Sequence, residues 1–291
     1  MSAAETAPAH AVGKGGIGAH LAALLIALLL LFWTLLPIYN MILVALEPGD
    51  SVFSGALWPE TFSLENFRIV FTQDHWYLKH FWLQMLNSLI VGLAAAFFTV
   101  LIGSMASFSI QRLRLRYGTL LSNTALLSYA IPLSFLAIPF YNILHNYGLL
   151  DNLWALIIVA VTFATPYAIF IFSQYSASIP IELDEAARID GASVPQIYFK
   201  LYMPLMRPAL VAVGTYALLL AWNEYLYAFL LLSSETTVTV PVALGYFLSS
   251  DDSPWNILMA AALIYSIPPL VIYYAMRRHM TTGLTVGSVK G

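Results

Sequence analysis

Two uncharged segments of the chain are each long enough to cross a bilayer. Leu21–Leu46 and Phe81–Gln111 contain no Asp, Glu, Lys or Arg, and about 20 apolar residues span the hydrocarbon core as a helix. Four further apolar runs follow, at Tyr117–Leu150, Asn152–Ile179, Ala209–Leu232 and Trp255–Met276. Charged residues make up only 9% of the chain, whereas soluble domains contain about 25%. The sequence therefore predicts an all-α membrane protein with six transmembrane helices.

Prolines interrupt several of these predicted spans. Pro132 and Pro139 lie inside the third span, Pro166 inside the fourth and Pro268-Pro269 inside the sixth. A proline removes a backbone donor and kinks a helix, which is tolerated in a membrane only where protein or a cavity satisfies the freed carbonyls. We expect the third span, with two prolines, to be kinked or broken.

Small residues recur at four-residue spacing in the second span. The pairs are Gly92 with Ala96 and Gly103 with Ser107. Such pairs let membrane helices approach each other closely. Ordinary small residues on a buried helix would give the same pattern, so the spacing alone leaves both explanations open.

Basic residues are distributed unevenly between the two sides of the predicted membrane domain, residues 21–278. With both termini in the cytoplasm, ten Lys and Arg residues lie inside, and only Arg68 and Lys79 lie outside. Cytoplasmic loops are enriched in Lys and Arg, so we expect this orientation. It makes residues 1–20 a flexible cytoplasmic N-terminal tail and residues 279–291 a cytoplasmic C-terminal tail.

The polar segments on the outer side, 47–80 and 233–254, contain no motif for a nucleophile, a base or a metal site. A short helix is expected near Leu64–Phe71. The chain has no cysteine, and its six histidines are scattered, with His75 and His80 lacking an acidic partner at metal-site spacing. The net charge of −3 provides no basic surface for nucleic acid. We therefore expect no metal site, no cofactor held by this chain and no nucleic-acid partner.

The cytoplasmic segment 180–208 has the composition of a water-facing helix pair. Acidic residues stand in the first turn of its first helix, where the helix dipole favours them, and Asp184 and Arg188 are spaced for an i,i+4 ion pair. Gly191 suits the left-handed position that ends a helix. Ser193 and Gln196 form a capping box for a second helix, which Pro204 and Pro208 are expected to end. A well-capped solvated linker remains the alternative on these grounds alone.

These residues resemble the EAA loop of permease subunits in ATP-binding-cassette (ABC) importers. The resemblance is carried by Glu185-Ala186-Ala187, by Asp190-Gly191-Ala192 and by Met203-Pro204. Further stretches resemble the MalG-type carbohydrate permeases: Asn87-Ser88, Gly148 to Asn152, Ala221 to Glu224 and the tail from Gly283 to Gly291. Val286 and Ser288 depart from the alanines of that family's tail.

The resemblance implies a function for the loop. Its first helix would be the coupling helix, seated in a cleft of a separate ATPase, with contacts from Glu185, Ala186, Ala187, Asp190, Gly191 and Pro204. The tail residues Gly283, Gly287 and Lys290 would reach toward the ATPase dimer. The implied partners are a MalF-type second permease, two ABC ATPase copies that bind ATP and Mg²⁺, an extracytoplasmic solute-binding protein and lipid of the bacterial inner membrane. The implied cargo is a sugar, a polyol or a glycerol phosphate ester.

Glu224 is the only acidic residue inside a predicted span. Intramembrane carboxylates usually face a cavity or a partner rather than lipid. On a continuous helix, Glu224 and Tyr227 would share one face with Asn223 nearby, and such amide, carboxylate and aromatic groups suit a sugar. We therefore predict that these three residues line a substrate path. An internal hydrogen bond that joins two helices is the alternative.

Two other functions compete with the importer permease. A proton-coupled secondary transporter could use Glu224 as its relay, but six spans without an evident inverted repeat do not favour it. A membrane enzyme would need a motif that the outer segments lack. The chain contains no G-x-x-x-x-G-K-[ST] motif, so an importer of this kind must obtain ATP hydrolysis from another chain.

Overall fold

The computed structural model describes residues 17–48, 57–58, 61–249 and 253–284, and the regular structure within them is helical. Of the predicted tails 1–20 and 279–291, residues 1–16 and 285–291 lie outside the described residues, whereas 17–20 belong to α1 and 279–284 to α13. The α-helices are α1 (Ile17–Leu46), α2 (Glu65–Thr72), α3 (Phe81–Gln111), α4 (Gly118–Leu127), α5 (Ala137–Asn146), α6 (Leu153–Ala177), α7 (Glu182–Ile189), α8 (Val194–Gln196), α9 (Met203–Leu205), α10 (Arg207–Trp222), α11 (Leu226–Leu231), α12 (Val240–Tyr246) and α13 (Trp255–Leu284).

Four described helical segments are individually long and apolar enough to cross a membrane. They are Gly18–Leu46, Trp76–Gln111, Leu153–Ala177 and Trp255–Arg278. Two bent pairs add one span each if every pair counts once, which gives up to six. The all-helical membrane class is thus confirmed. The short helix predicted near Leu64–Phe71 is also confirmed, as α2.

The third span is broken, as its prolines predicted. Leu120–Ala130 and Leu133–Asn146 meet at a 94° bend, and Ile131, between them, is extended with φ −85° and ψ 119°. The residue before a proline is biased toward this conformation, so Pro132 accounts for the break. Pro139 produces no kink, because it lies in the first turn of α5, where a missing N–H leaves no hydrogen bond unmade.

The fifth span differs from its expected form. We predicted one helix over Ala209–Leu232, but α10 ends at Trp222 and α11 begins at Leu226. The prediction of a continuous helix is therefore wrong. The helix stops where side chains and a neighbouring helix provide partners for the freed backbone groups, as the contacts below show.

Helix α3 forms the centre of the packing, in contact with α6 and α10. A Cβ on Gly103 would lie 2.8 Å from the Cβ of Ala168 on α6, and a Cβ on Gly92 would lie 3.5 Å from Leu218 on α10. The backbones of α3 and α6 therefore approach as closely as they do because residue 103 has no side chain. This supports the close-approach explanation of the small pairs.

Candidate functional site

Helix α7 ends in the way its sequence predicts. Gly191 adopts φ +84°, its N–H donates to the Arg188 carbonyl at 3.0 Å, and the Ala192 N–H donates to the Ala187 carbonyl at 2.9 Å. These two bonds are the Schellman pattern, which reverses the chain after a helix. The left-handed position predicted for Gly191 is confirmed.

The second helix of segment 180–208, Val194–Leu205, starts at the predicted capping box. The Ser193 N–H donates to Oε1 of Gln196 at 2.7 Å. This helix contains α8, a π-helical turn over Ile197–Tyr202 and α9. Pro204 does not end it, contrary to our expectation, because the wider π turn that precedes Pro204 accommodates a residue without an N–H. The chain then bends by 78° before α10, and Pro208 opens that helix.

A buried ion pair attaches α7 to the end of α3. Arg112 Nε lies 3.6 Å from Asp184 Oδ2, and the two side chains are only 3% and 4% exposed. Arg112 also donates to the Ile179 carbonyl at 3.1 Å and lies over the Tyr202 ring. The predicted pair of Asp184 with Arg188 is therefore wrong. Asp184 faces inward and meets a charge from a distant part of the sequence, whereas the Arg188 side chain is exposed.

Hydroxyl groups fasten the Val194–Leu205 helix to α3, and apolar packing joins it to α6. Tyr198 hydrogen bonds to Ser104 at 2.8 Å, and Tyr202 bonds to Ser107 at 3.2 Å. Both tyrosines are buried in an apolar cluster that includes Phe172 of α6. Buried polar groups that satisfy each other fix one arrangement. The Val194–Leu205 helix is therefore held against the C-terminal parts of α3 and α6.

The remaining surface of α7 is open. Glu185, Ala186, Asp190 and Gly191 are exposed, and Ala187 is partly buried against the cluster below. The Ile189 side chain is 87% exposed, which is unusual for an isoleucine at the end of a charged helix. Sequence analysis did not select Ile189, although its position directly before Asp190-Gly191-Ala192 was available as a signal.

A shallow cavity of about 310 Å³ lies between α7 and the Val194–Leu205 helix. It is lined by small residues, Ala187, Gly191 and Ala192, and by the longer side chains of Gln196 and Lys200. The apolar Phe199 stands exposed on the same helix. Singly exposed apolar side chains are normal on protein surfaces, so the groove and Phe199 alone do not define a docking surface.

The predicted membrane site coincides with the break in the fifth span. Oε1 of Glu224 accepts the Tyr227 N–H at 2.9 Å, and Asn223 Nδ2 donates to the Leu219 carbonyl at 2.8 Å. The Tyr265 hydroxyl of α13 donates to the Trp222 carbonyl. These contacts satisfy backbone groups that the break frees, as a membrane interior requires. Sequence analysis identified the polar residues but assumed the wrong backbone around them.

Tyr227 lies behind the site rather than in it. Its side chain is buried, and its hydroxyl donates to the Leu133 carbonyl at 2.7 Å. That carbonyl belongs to the broken third span. Asn223, by contrast, is exposed, and Glu224 is partly exposed. Tyr227 thus joins the two broken spans, while the side chains of Asn223 and Glu224 remain accessible at the surface.

A cluster of three tyrosines that the sequence analysis missed lies near the Pro132 break. The Tyr129 hydroxyl donates to the Phe163 carbonyl at 2.7 Å and lies 3.4 Å from the Tyr216 hydroxyl. The Tyr216 ring packs on Tyr167 at 4.5 Å. An apolar cavity of about 300 Å³ opens beside Tyr129, at the Pro132 break and at Pro166. The three tyrosines come from three predicted spans, so no local sequence pattern could group them.

Polar side chains near the N-terminal end of α3 hold the segment that follows α11. Gln84 Nε2 donates to the Glu235 carbonyl at 2.9 Å, and Asn87 Nδ2 donates to the Thr236 carbonyl at 2.9 Å. The Ser88 hydroxyl accepts the Val240 N–H at 3.0 Å. This segment therefore has a fixed path without forming a helix or a strand.

Asp151 holds the start of the same segment. Its carboxylate accepts the Thr237 hydroxyl and the backbone N–H groups of Ser233 and Ser234, each at 3.0 Å. Hydrogen bonds from Thr237, Ser234 and Ser233 keep the pKa of the Asp151 carboxyl below its ordinary value. The charged form is therefore the one that the fold stabilises.

Replacing Asp151 with asparagine should make stability less dependent on pH. Because the pKa is lower in the fold, the charged carboxylate stabilises the protein fully above about pH 3.9, the ordinary aspartate value. This contribution is lost as the pH falls through the lower folded value. We expect Asp151→Asn to cost about 1 kcal/mol at pH 7 and the difference in Tm from wild type to shrink below about pH 4. Asp74→Asn, on an exposed acid, is the control, and a difference independent of pH would contradict the prediction.

Of the predicted C-terminal contact residues, only Gly283 lies within the described helix, near the end of α13. Gly287 and Lys290 lie outside the described residues. Within the described part of the chain, no group of three or more His, Cys, Asp or Glu side chains could hold a metal ion.

Comparison with known proteins identifies a family of membrane transport components. Residues 99–286 match the family model of the binding-protein-dependent transport system inner membrane component. The trehalose transport system permease protein SugB of Mycobacterium tuberculosis is 34% identical over 89% of this chain and 93% of its own length. The arabinooligosaccharides transport system permease protein AraQ of Halalkalibacterium halodurans is 29% identical over 89% of this chain and 92% of its own length.

A solved structure shows the same fold. A chain of a bacterial ABC transporter involved in the import of the acidic polysaccharide alginate superposes with a TM-score of 0.73 at 22% identity, covering 94% of this chain and 99% of that one. The family match and the long apolar helices place the protein in the bacterial inner membrane as a multi-pass component. The chain belongs to the family of inner membrane components of binding-protein-dependent transport systems, the permease subunits of ABC importers.

Proposed function

We propose that this subunit forms half of a membrane path for a sugar or related polyol and couples that path, through α7, to a separate ATPase. One observation carries the proposal. Helix α7 exposes the Glu185-Ala186-Ala187 face, while Asp184 on the same helix is tied into the membrane domain by the buried pair with Arg112. The names of the relatives, which refer to trehalose, arabinooligosaccharides and alginate, support a carbohydrate cargo.

The assembly that fits this function contains four further chains. They are a MalF-type permease, two ABC ATPase copies that bind ATP and Mg²⁺, and an extracytoplasmic solute-binding protein. Both termini and α7 face the cytoplasm in this arrangement, which the excess of inner Lys and Arg residues supports. The tail residues Gly283, Gly287 and Lys290 then extend toward the ATPase dimer. The secondary-transporter alternative that used Glu224 has no support from the family match.

Force applied to α7 has a defined route into the membrane. A movement of the ATPase would be passed to α3 through the Arg112–Asp184 pair and to α3 and α6 through the buried Tyr198 and Tyr202 contacts. The breaks at Pro132 and at residues 223–225 are the points where the spans can bend. ATP binding drives transport only if the ATPase binds one permease state more tightly than the other.

The path itself would follow the exposed aromatic and polar side chains near the two breaks. Asn223 and Glu224 offer amide and carboxylate groups, and the tyrosine cluster of Tyr129, Tyr167 and Tyr216 offers ring faces and hydroxyls. This combination suits the apolar faces and hydroxyl edges of a sugar. Tyr227 would act from behind, because it holds the broken third span against the site.

Substituting the exposed isoleucine of α7 tests the docking function. Ile189→Asp should detach the ATPase, because a buried apolar anchor in an interface contributes about 2 kcal/mol or more, or roughly a 30-fold loss of affinity. Ile189→Val keeps the apolar contact and is the matched control. Co-purification of the ATPase with the permease, together with sugar import by membrane vesicles, gives the readout. Normal co-purification and import by Ile189→Asp would refute the docking of α7.

Glu185→Ala provides a second variant with a separate expectation. Glu185 is exposed, and its side chain makes no hydrogen bond or ion pair with the described residues, so its removal should leave insertion and folding intact while import falls. Arg188→Ala, on an exposed residue of the same helix, is the comparison.

A further inference from the structure

A cavity of about 320 Å³ lies on the predicted outer face, between the start of α3 and the segment that follows α11. It is far in sequence from the coupling loop, and neither the tyrosine cluster nor Glu224 lines it. Its volume is at the lower end of the range for small-molecule sites, about 300–1,000 Å³. The cavity can therefore hold a small ligand such as one sugar unit.

Both walls of this cavity are fixed by hydrogen bonds. Gln84 on one wall donates to the Glu235 carbonyl on the other at 2.9 Å. The neighbouring Ser233 is held through its N–H by Asp151 at 3.0 Å. These hydrogen bonds fix the positions of both walls before a ligand binds. Such preorganisation reduces the loss of conformational entropy on binding.

The polar groups of the cavity provide both acceptors and donors. Gln84 is only 4% exposed, and its Oε1 has no hydrogen-bond partner among the described residues. That atom is enclosed by the protein, so Gln84 shapes the wall, and the accessible acceptor is the Glu235 carboxylate, whose side chain is 74% exposed. His80 Nε2 lies 3.9 Å from Glu235 Oε2, so a donor and a carboxylate stand side by side at the rim.

An aromatic surface completes the cavity. The Trp76 side chain is 72% exposed, and Tyr246 forms part of the wall. Exposed indole faces pack on the apolar face of a sugar ring. The positive charge of Lys79 is opposed by the carboxylate of Glu235 in the same cavity, so the site offers no net positive charge for a phosphate. Neutral saccharide chemistry therefore fits this cavity better than an anion does.

We propose that this outer cavity binds a neutral saccharide unit before the sugar enters the membrane path. The proposal rests on the proposed function as a sugar importer. In this arrangement, Trp76 packs against the ring, the Glu235 carboxylate accepts hydrogen bonds from its hydroxyls, and Gln84 holds the wall behind them. The bound sugar would be one that the solute-binding protein has released at the outer mouth.

Saturation-transfer NMR on the assembled transporter in lipid nanodiscs, without the solute-binding protein, tests the site. The probes are free trehalose, arabinotriose and glucose, with glycerol 3-phosphate as the anionic comparison. We expect saturable transfer to at least one neutral sugar and a loss of apparent affinity of about tenfold in Trp76→Ala, or about 1.4 kcal/mol, since the variant removes the apolar ring surface on which the sugar packs. Trp58→Ala is the matched control, because Trp58 is 74% exposed and does not line the cavity.

A second variant separates binding from folding. Glu235→Gln keeps the shape of the side chain and the backbone carbonyl that Gln84 contacts, and it should weaken sugar transfer without lowering Tm. Equal transfer in wild type, Trp76→Ala and Glu235→Gln would overturn the site, as would stronger transfer to glycerol 3-phosphate than to any sugar. A complex that imports sugar but shows no saturable transfer also overturns it, while the proposed function stands. A complex that imports none of the sugars overturns both.

Discussion

Gly191→Pro should abolish import while the protein still inserts into the membrane. Proline fixes φ near −65°, whereas Gly191 has φ +84°, and the substitution also removes the N–H that bonds to Arg188. Asp190 would in addition be driven out of its helical conformation, because it precedes a proline. The end of α7 would unwind and carry Ile189 away from its position. A cost of about 3 kcal/mol or more would lower productive docking roughly 100-fold.

Gly191→Asn is the matched control for this experiment. Asparagine tolerates the left-handed conformation, retains the N–H, and has room, since a Cβ at this position meets no heavy atom within 4 Å. We expect near-normal import from Gly191→Asn and less than about a tenth of the normal rate from Gly191→Pro. Both variants are compared at equal membrane abundance, by uptake of labelled sugar into vesicles. Equal import by the two variants would show that the reversal at Gly191 does not matter for coupling.

Asp184→Ala should destabilise the attachment of α7 by about 3–5 kcal/mol, because it leaves the Arg112 charge buried without a partner. The two side chains are almost fully enclosed, so solvent cannot replace the lost carboxylate. We expect a lower Tm, faster proteolysis within residues 180–208 and loss of sugar-stimulated ATP hydrolysis. Asp184→Ala thus acts through the position of the coupling helix, not through its contact surface.

A double variant distinguishes the pair from its individual members. Arg112→Met combined with Asp184→Leu removes both charges and fills similar space, and such replacements of buried ion pairs are often neutral or stabilising. The double variant should therefore recover most of the Tm and much of the coupling that Asp184→Ala loses. If it were as unstable as the single variant, the pair would have a function beyond charge compensation, and our explanation would be wrong.

Local sequence patterns predicted the elements whose physics is local. The uncharged run Phe81–Gln111 became α3 with the same bounds, because apolar length and the absence of charge decide membrane insertion. Gly191 and the Ser193–Gln196 capping box were correct because caps depend on neighbours within a few residues. Pro132 broke its helix because a proline acts on the residue directly before it.

Features that depend on distant contacts were not predictable from one sequence. Asp184 had a plausible partner four residues away in Arg188, but burial against α3 selected Arg112 instead. The break after Trp222 depends on the Tyr265 hydroxyl from another helix. The tyrosine cluster forms only when three spans meet. In each case the deciding interaction is tertiary, and helical periodicity carries no information about it.

The Arg112–Asp184 pair limits how this transporter can be re-engineered. Residues 180–208 resemble a self-contained unit that could be exchanged between permeases, because prolines flank the segment and its helices have their own caps. Yet these residues contain only Asp184 of the buried ion pair, whereas Arg112 lies at the end of α3. A chimaera that receives residues 180–208 alone would bury the Asp184 carboxylate without its arginine. Exchanges between permeases should therefore succeed only when Arg112 is transferred together with the loop.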